Sequence, residues 1–302
     1  MSSAVLLDRR DGTAVITQNR PERANVVDLE LSAALIAAVE AVAEDATVRA
    51  LLLRAEGRHF CGGGDIDDFV HSRDDIGTLL DTHIPPLHRA IERLAGPPIP
   101  VVSALNGPIG GGGIGLALCA DIVLAAESMK LRGGYSAIGL TPDVGASWFL
   151  TRRAGVARAK EIFFTNELLS AQRCLDWGIV SAVWPDAELG ARAAALVGSL
   201  ARGATGALGR TKRLVDTAPL HSLAEHLDHE HPAMVASGRT ADAVGGVTAF
   251  AGKRAPVFGR EPPEPITTKE GDIDVAQKPD HHGPAVRGSR PYPRPGQGRE
   301  RQ

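Results

Sequence analysis

The sequence predicts an α/β protein built from repeated ββα units, followed by a helical region and an unstructured tail. Three observations carry that expectation. An apolar run of strand length, then a glycine-rich loop, then a helical stretch occurs twice, over 49–66 and again over 101–119. From 189 to about 252 the chain is helical by pattern. After Arg260 the composition changes, and residues 261–302 hold 8 of the 20 prolines with almost no large apolar residue. Such a segment cannot bury enough surface to offset the entropy of ordering. The expected division is 1–205 for the core, 206–260 for helices that mediate oligomerisation, and 261–302 for a disordered proline-rich tail.

In chain order, 13–17 is a β-branched run of strand type, ended by the turn-like Asn19-Arg20-Pro21. Leu31, Leu35, Val39 and Val42 then recur at helical spacing, with Asp28 placed to cap the helix. Residues 49–54 form a continuous apolar run, the pattern of a strand covered on both faces. The first glycine loop, 60–66, leads to a helical stretch at 76–94 that Pro85-Pro86 is expected to interrupt. A strand at 101–105, a turn at Asn106-Gly107, the second glycine loop at 110–113, a short helix at 114–119 and a strand at 121–125 complete the second unit. Helical stretches and the short apolar run 179–183 follow before the C-terminal helices.

Composition excludes several function classes. Lys+Arg number 33 against 36 Asp+Glu, a net charge of -3, which provides no electrostatic drive onto nucleic acid or anionic lipid. Aromatic residues are only 4%, too few for base-stacking platforms. Cys61, Cys119 and Cys174 are far apart and odd in number, so neither a disulfide framework nor a zinc site is expected, and a reducing cytoplasm fits best. Residues 1–12 lack the apolar segment of a signal peptide, and no stretch is long enough to span a bilayer.

The second loop formally matches GxGxxG, yet the helix after it spans about two turns and no acid ends a second strand about 20 residues on. A P-loop fails because no Gly-Lys-Ser/Thr follows. Two glycine loops, each after an apolar strand, suit another chemistry. Backbone amides from both, aimed at one point, make an oxyanion hole that stabilises the enolate formed beside a thioester carbonyl.

Asn19-Arg20-Pro21, Phe60-Cys-Gly-Gly-Gly-Asp-Ile66, Asn106-Gly107 with 111–113, Cys119-Ala-Asp121, Ile138-Gly-Leu-Thr-Pro-Asp143 and Phe250-Ala-Gly-Lys253 resemble the enoyl-CoA hydratase/isomerase (crotonase) superfamily in order and spacing. The resemblance covers about residues 4–260. It implies a crotonase-like spiral of ββα units, a C-terminal helical region that builds a homotrimer or a dimer of trimers, and an acyl-CoA thioester substrate with no further cofactor. It places the oxyanion amides on Gly62 and Gly112. Arg23 and Ala24 fall where the family wraps around CoA, and Phe250 and Lys253 where its last helix reaches toward CoA. Gly64, Asp65, Tyr135 and Trp148 are the remaining substrate-side candidates.

Hydratases of the family carry two water-activating glutamates. At those positions stand Gly115 and Tyr135 here, so the two-glutamate mechanism is not expected. Asp143 remains, as in isomerase-type members, where one carboxylate moves a proton between two carbons. Read alone, an acid beside a proline commonly caps the following helix, here 144–152. Asp65 is read as such a cap at Ile66, Cys61 as a small buried residue, and Trp148-Phe149 as a pair of which one faces the core. The histidines at 221, 226, 229 and 231 read as an exposed helix face more than a metal site. The leading expectation is an enoyl-CoA isomerase with Asp143 as base. The alternatives are a hydratase with a rearranged acid, or a catalytically weak acyl-CoA-binding subunit.

Overall fold

The chain opens with a hairpin, β1 (Val5–Arg10) and β2 (Thr13–Gln18), paired antiparallel with Arg10 opposite Thr13. Asp11 and Gly12 both take positive φ, which matches the right-handed twist of the flanking strands in a two-residue turn. The computed structural model describes residues 3–259, and the expected tail at 261–302 lies outside the described residues. The sequence reading missed β1, although Asp-Gly between two runs is the signal that marks such a hairpin.

A 3₁₀ turn at Pro21–Arg23 leads to α1 (Leu29–Ala43), capped as expected by the Asp28 carboxylate, which accepts from the Leu31 N–H. Then come β3 (Ala50–Ala55), the first glycine loop, α2 (Ile66–His71) and α3 (Ile76–Ala95). Contrary to expectation, α3 runs through Pro85-Pro86 without a break. Each proline lacks the N–H that would bond the carbonyl four residues earlier. Those carbonyls, of Asp81 and Thr82, belong to exposed residues that water reaches, so the helix survives.

The second unit comprises β4 (Val101–Leu105), β5 (Ile109–Gly110), α4 (Gly113–Leu118), β6 (Ile122–Ala126) and β7 (Lys130–Arg132). After a 3₁₀ turn at Tyr135–Ile138 follow α5 (Ala146–Ala154), α6 (Val156–Thr165), β8 (Leu169–Ser170), α7 (Ala171–Asp176) and β9 (Ala182–Trp184). The last strand starts later than the 179–183 run, because Ile179 and Val180 pack into the core from a turn. The chain closes with α8 (Asp186–Ala201), α9 (Thr205–Thr217), α10 (Leu223–Gly238) and α11 (Ala241–Ala251). No helix among the described residues is long and apolar enough to cross a membrane.

The main sheet has the order β1-β2-β3-β4-β6-β9 and is parallel from β2 onward. A smaller sheet, β5-β7-β8, stands apart from it. Alternation along the parallel strands sorts the core onto both faces of the main sheet. Ala50, Leu52, Val102, Ala104, Leu124 and Ala126 face Leu189, Ala193, Val197 and Ala201 of α8. Leu51, Leu53, Val101, Leu105 and Val123 face the larger core, which includes α1, α3 and α4. The strands end at the glycine loops, so the sheet delivers both loops to one place.

Candidate active site

The two glycine loops meet back to back. A Cβ on Gly63 would lie 2.8 Å from the Gly110 carbonyl oxygen and 3.4 Å from the Gly111 Cα. The loops are stitched by the N–H of Gly110 donating to the Cys61 carbonyl at 3.1 Å. Cys61 is fully buried beneath them, and burial pushes its thiol up to about 12, so it supplies no thiolate.

The amides of these loops do not divide as expected. Gly62 N–H already donates to the Ala24 carbonyl at 2.9 Å, so Gly62 is not free to serve as an oxyanion donor. Among the described residues, the N–H groups of Gly64 and Gly112 have no hydrogen-bond partner. The Ala24 carbonyl is brought there by two successive left-handed residues, Ala24 and Asn25. Asn25, buried and not singled out by sequence, pins that corner: its amide donates to Glu56 and His59 carbonyls, and its oxygen accepts from the Arg20 N–H.

A cavity of about 560 Å³ opens over the first loop. Arg23, Ala24, Gly62, Gly64, Asp65 and His59 line it, together with Lys130 and Arg132. Arg23 is half-exposed and ion-paired to Asp65, and its Nη1 lies 3.5 Å from Asp28. Asp65 also accepts from the Asp67 N–H at 2.9 Å, which makes it the cap of α2 that sequence expected. Ile109, nearly inaccessible to solvent, forms part of the same wall.

Asp143 stands across from the second loop. Its Oδ1 is 3.4 Å from the point where a side chain on Gly112 would begin. It does not cap α5, whose N-cap is Gly145 with no side-chain hydrogen bond. Instead the buried Tyr135 hydroxyl donates to Asp143 Oδ1 at 2.6 Å, and the Asp143 N–H donates to the same hydroxyl oxygen at 3.3 Å. Burial pushes the Asp143 carboxyl above its ordinary range, only partly offset by the Tyr135 hydrogen bond. Burial and the adjacent carboxylate drive the Tyr135 phenol far upward, so it stays a donor.

After Asp143 the backbone turns through Val144 at φ 52 and Gly145 at φ 74. A β-branched residue in that region is strained, by about 1–3 kcal/mol. This corner fills the space beside α4: a Cβ on Gly115 would lie 1.8 Å from the Val144 carbonyl oxygen. Position 115 therefore admits no side chain while the corner holds. His88 of α3, which the sequence reading passed over, accepts the Val144 N–H on Nε2 at 3.2 Å.

A second cavity of about 390 Å³ adjoins the corner, lined by His88, Ile91, Glu92, Gly145, Trp148 and Phe149. Both aromatics reach it. Trp148 is exposed and crosses Phe149 edge to face at 4.8 Å, while Phe149 packs on the core. Phe250 and Lys253 join neither cavity, and Phe250 is 87% exposed. The His221 and His229 rings lie 4.5 Å apart and tilted by 36°, and His226 Nε2 faces Glu230 at 3.6 Å.

Comparison with known proteins gives the family. The family model for enoyl-CoA hydratase/isomerase matches residues 8–261. The chain is 38% identical to 1,2-epoxyphenylacetyl-CoA isomerase of Escherichia coli over 85% of this chain and 99% of that protein. It is 34% identical to a probable enoyl-CoA hydratase of Rhodobacter capsulatus over 82% of this chain and 95% of the relative. The crystal structure of an enoyl-CoA hydratase/isomerase from Mycobacterium abscessus superposes with a TM-score of 0.81 at 33% identity, over 85% of this chain and 99% of the other.

Proposed function

The chain belongs to the enoyl-CoA hydratase/isomerase family, with the crotonase fold, and we propose that it acts there as an isomerase that shifts a double bond in an acyl-CoA thioester. The observation that carries this reading is the closed space at Gly115 beside a single carboxylate, Asp143. A second acid at that position, needed to hold a water between two carboxylates, has nowhere to stand. One base suffices for isomerisation. Asp143 takes a proton from the carbon next to the thioester carbonyl, and the electron pair moves onto the carbonyl oxygen. The same carboxylic acid returns the proton to the carbon two bonds away, and the double bond is left between the other pair.

The developing negative charge is received by the N–H groups of Gly64 and Gly112, one unpartnered amide from each loop. The raised affinity of Asp143 for a proton suits a group that must bind and release one in each turnover. The CoA portion is assigned to the cavity of Arg23, Ala24, Asp65, Lys130 and Arg132, and the acyl end to the cavity of Ile91, Trp148 and Phe149. The aromatic walls of the latter and the name of the Escherichia coli relative favour ring-bearing acyl groups.

Assembly as a trimer or dimer of trimers belongs to the same reading. Leu220, Leu223, Met234, Val247 and Phe250 of the C-terminal region are each more than 70% exposed, an apolar surface that closed assembly would cover. The test is a panel of thioesters with the purified protein. Conversion of 3-enoyl-CoA to the conjugated 2-enoyl form, read by absorbance, is the expected result. Hydration of 2-enoyl-CoA without isomerisation, or tight binding with no turnover across the panel, overturns the proposal.

A further inference from the structure

We propose that His88 is a positioning residue, which fixes the Asp143–Val144 corner by accepting the Val144 N–H and thereby aims the Asp143 carboxylate at the second glycine loop. The catalytic consequence rests on the reading of Asp143 as base. The positioning itself does not.

The corner needs an external hold. Val144 is β-branched and left-handed, so its own backbone preference pulls it away from the observed turn. Its side chain is buried with Cγ2 against Gly112, and its carbonyl occupies the space beside Gly115. A relaxation of φ at Val144 would swing both and carry Asp143 with them. The bond from Ala146 N–H to the Asp143 carbonyl at 2.8 Å closes the turn from within. The bond to His88 Nε2 at 3.2 Å ties it to a different element, α3.

His88 is well mounted for this. Its neighbours Leu87, Ala90, Ile91 and Leu94 anchor α3 in the core, while the imidazole stands on the cavity side beside Gly145. An Nε2 that accepts an N–H has its lone pair engaged and carries its proton on Nδ1. In this arrangement it is not available to take a proton from substrate, so its contribution passes through Asp143.

The test uses the full chain with His88→Ala and His88→Gln. Gln keeps an acceptor oxygen at similar reach, and Ala keeps none. For His88→Ala, kcat should fall about ten- to a hundredfold, the order expected for a misplaced reacting group, while KM stays within about threefold. His88→Gln should recover most of kcat. Amide hydrogen exchange at Val144 reports the hold directly, with protection lost in the Ala variant and kept in the Gln variant. Wild-type kcat in His88→Ala overturns the proposal. So does a Gln variant that protects Val144 yet is as slow as Ala, since the imidazole would then be needed for chemistry. If His88→Ala does not fold, the Gln variant decides: kept protection with kept kcat supports the proposal, and loss of either overturns it. Asp143→Asn separates the two readings. Full turnover in that variant removes Asp143 as base, whereas Val144 exchange in the His88 variants still reports the positioning.

Discussion

Replacing Gly115 by Ala tests the corner with one methyl group. Helix propensity alone predicts a gain, because Gly115 lies inside α4 and Ala is better there by about 1 kcal/mol. Packing predicts the opposite. The new Cβ would lie 1.8 Å from the Val144 oxygen, 2.7 Å from its carbonyl carbon and 3.1 Å from the Ala146 nitrogen. Each of these atoms is backbone, so no side-chain rotation relieves the overlap, and the corner must retreat by an ångström or more. Overpacking of this kind costs about 1–3 kcal/mol, occasionally more. At about 2–4 °C per kcal/mol for a chain of this size, the melting temperature should fall by about 2–12 °C. Turnover should fall further than stability, by about a hundredfold, because the retreat displaces Asp143. Thermal unfolding and steady-state isomerisation of the purified variant measure both. A Gly115→Ala protein that melts at or above wild type and isomerises normally would refute the packing argument.

Asp143→Asn should lower turnover by about 10²–10⁴-fold with thioester affinity kept within a few-fold, measured by kinetics and by binding. It should also melt no lower than wild type at neutral pH. The folded carboxyl holds its proton more tightly than the unfolded one, so stability declines as pH rises through the raised value, and Asn removes that cost. Tyr135→Phe removes a hydrogen bond that favours the Asp143 anion, so the rising limb of kcat against pH should move to higher pH; a limb that stays in place would mean another group titrates. Removal of residues 206–260 should abolish both the assembly and the activity, as read by sedimentation and turnover, and a fully active stable monomer of the intact chain would contradict the assembly reading.

Strands β2, β3, β4 and β6, both glycine loops and the caps Asp28 and Asp65 were legible because each is a local matter. Runs such as 49–54 mark strands buried on both faces, and a carboxylate before a helical run marks a cap. What escaped depended on atoms far apart in sequence. Nothing local to Gly62 says that its amide meets the Ala24 carbonyl, because that contact is made by a left-handed corner 37 residues away that Asn25 holds. His88 stands in a helical run whose prolines suggested a break, and its partner Val144 is 56 residues on. Asp143 beside Pro142 looks like a helix cap, yet the helix begins later, at Ala146 with Gly145 as its N-cap, and the carboxylate turns to Tyr135 instead.

One short corner thus does three things at once. Its side chain at 143 presents the carboxylate, its carbonyl at 144 denies space to any side chain at 115, and its N–H at 144 couples both to α3. These effects are not separable by substitution in the usual sense, because a change that lets a second acid into position 115 must move the backbone that aims the first. A Glu placed at 115 would therefore not convert the site into a two-carboxylate one. The left-handed Val144 makes the same point energetically: its strain is tolerable only while Tyr135, His88 and the packing on Gly112 hold the turn together. Strain held by several partners is what keeps a lone carboxylate fixed, since a relaxed loop would let it swing toward solvent, lose its burial and lose the raised proton affinity that the proposed isomerisation would use.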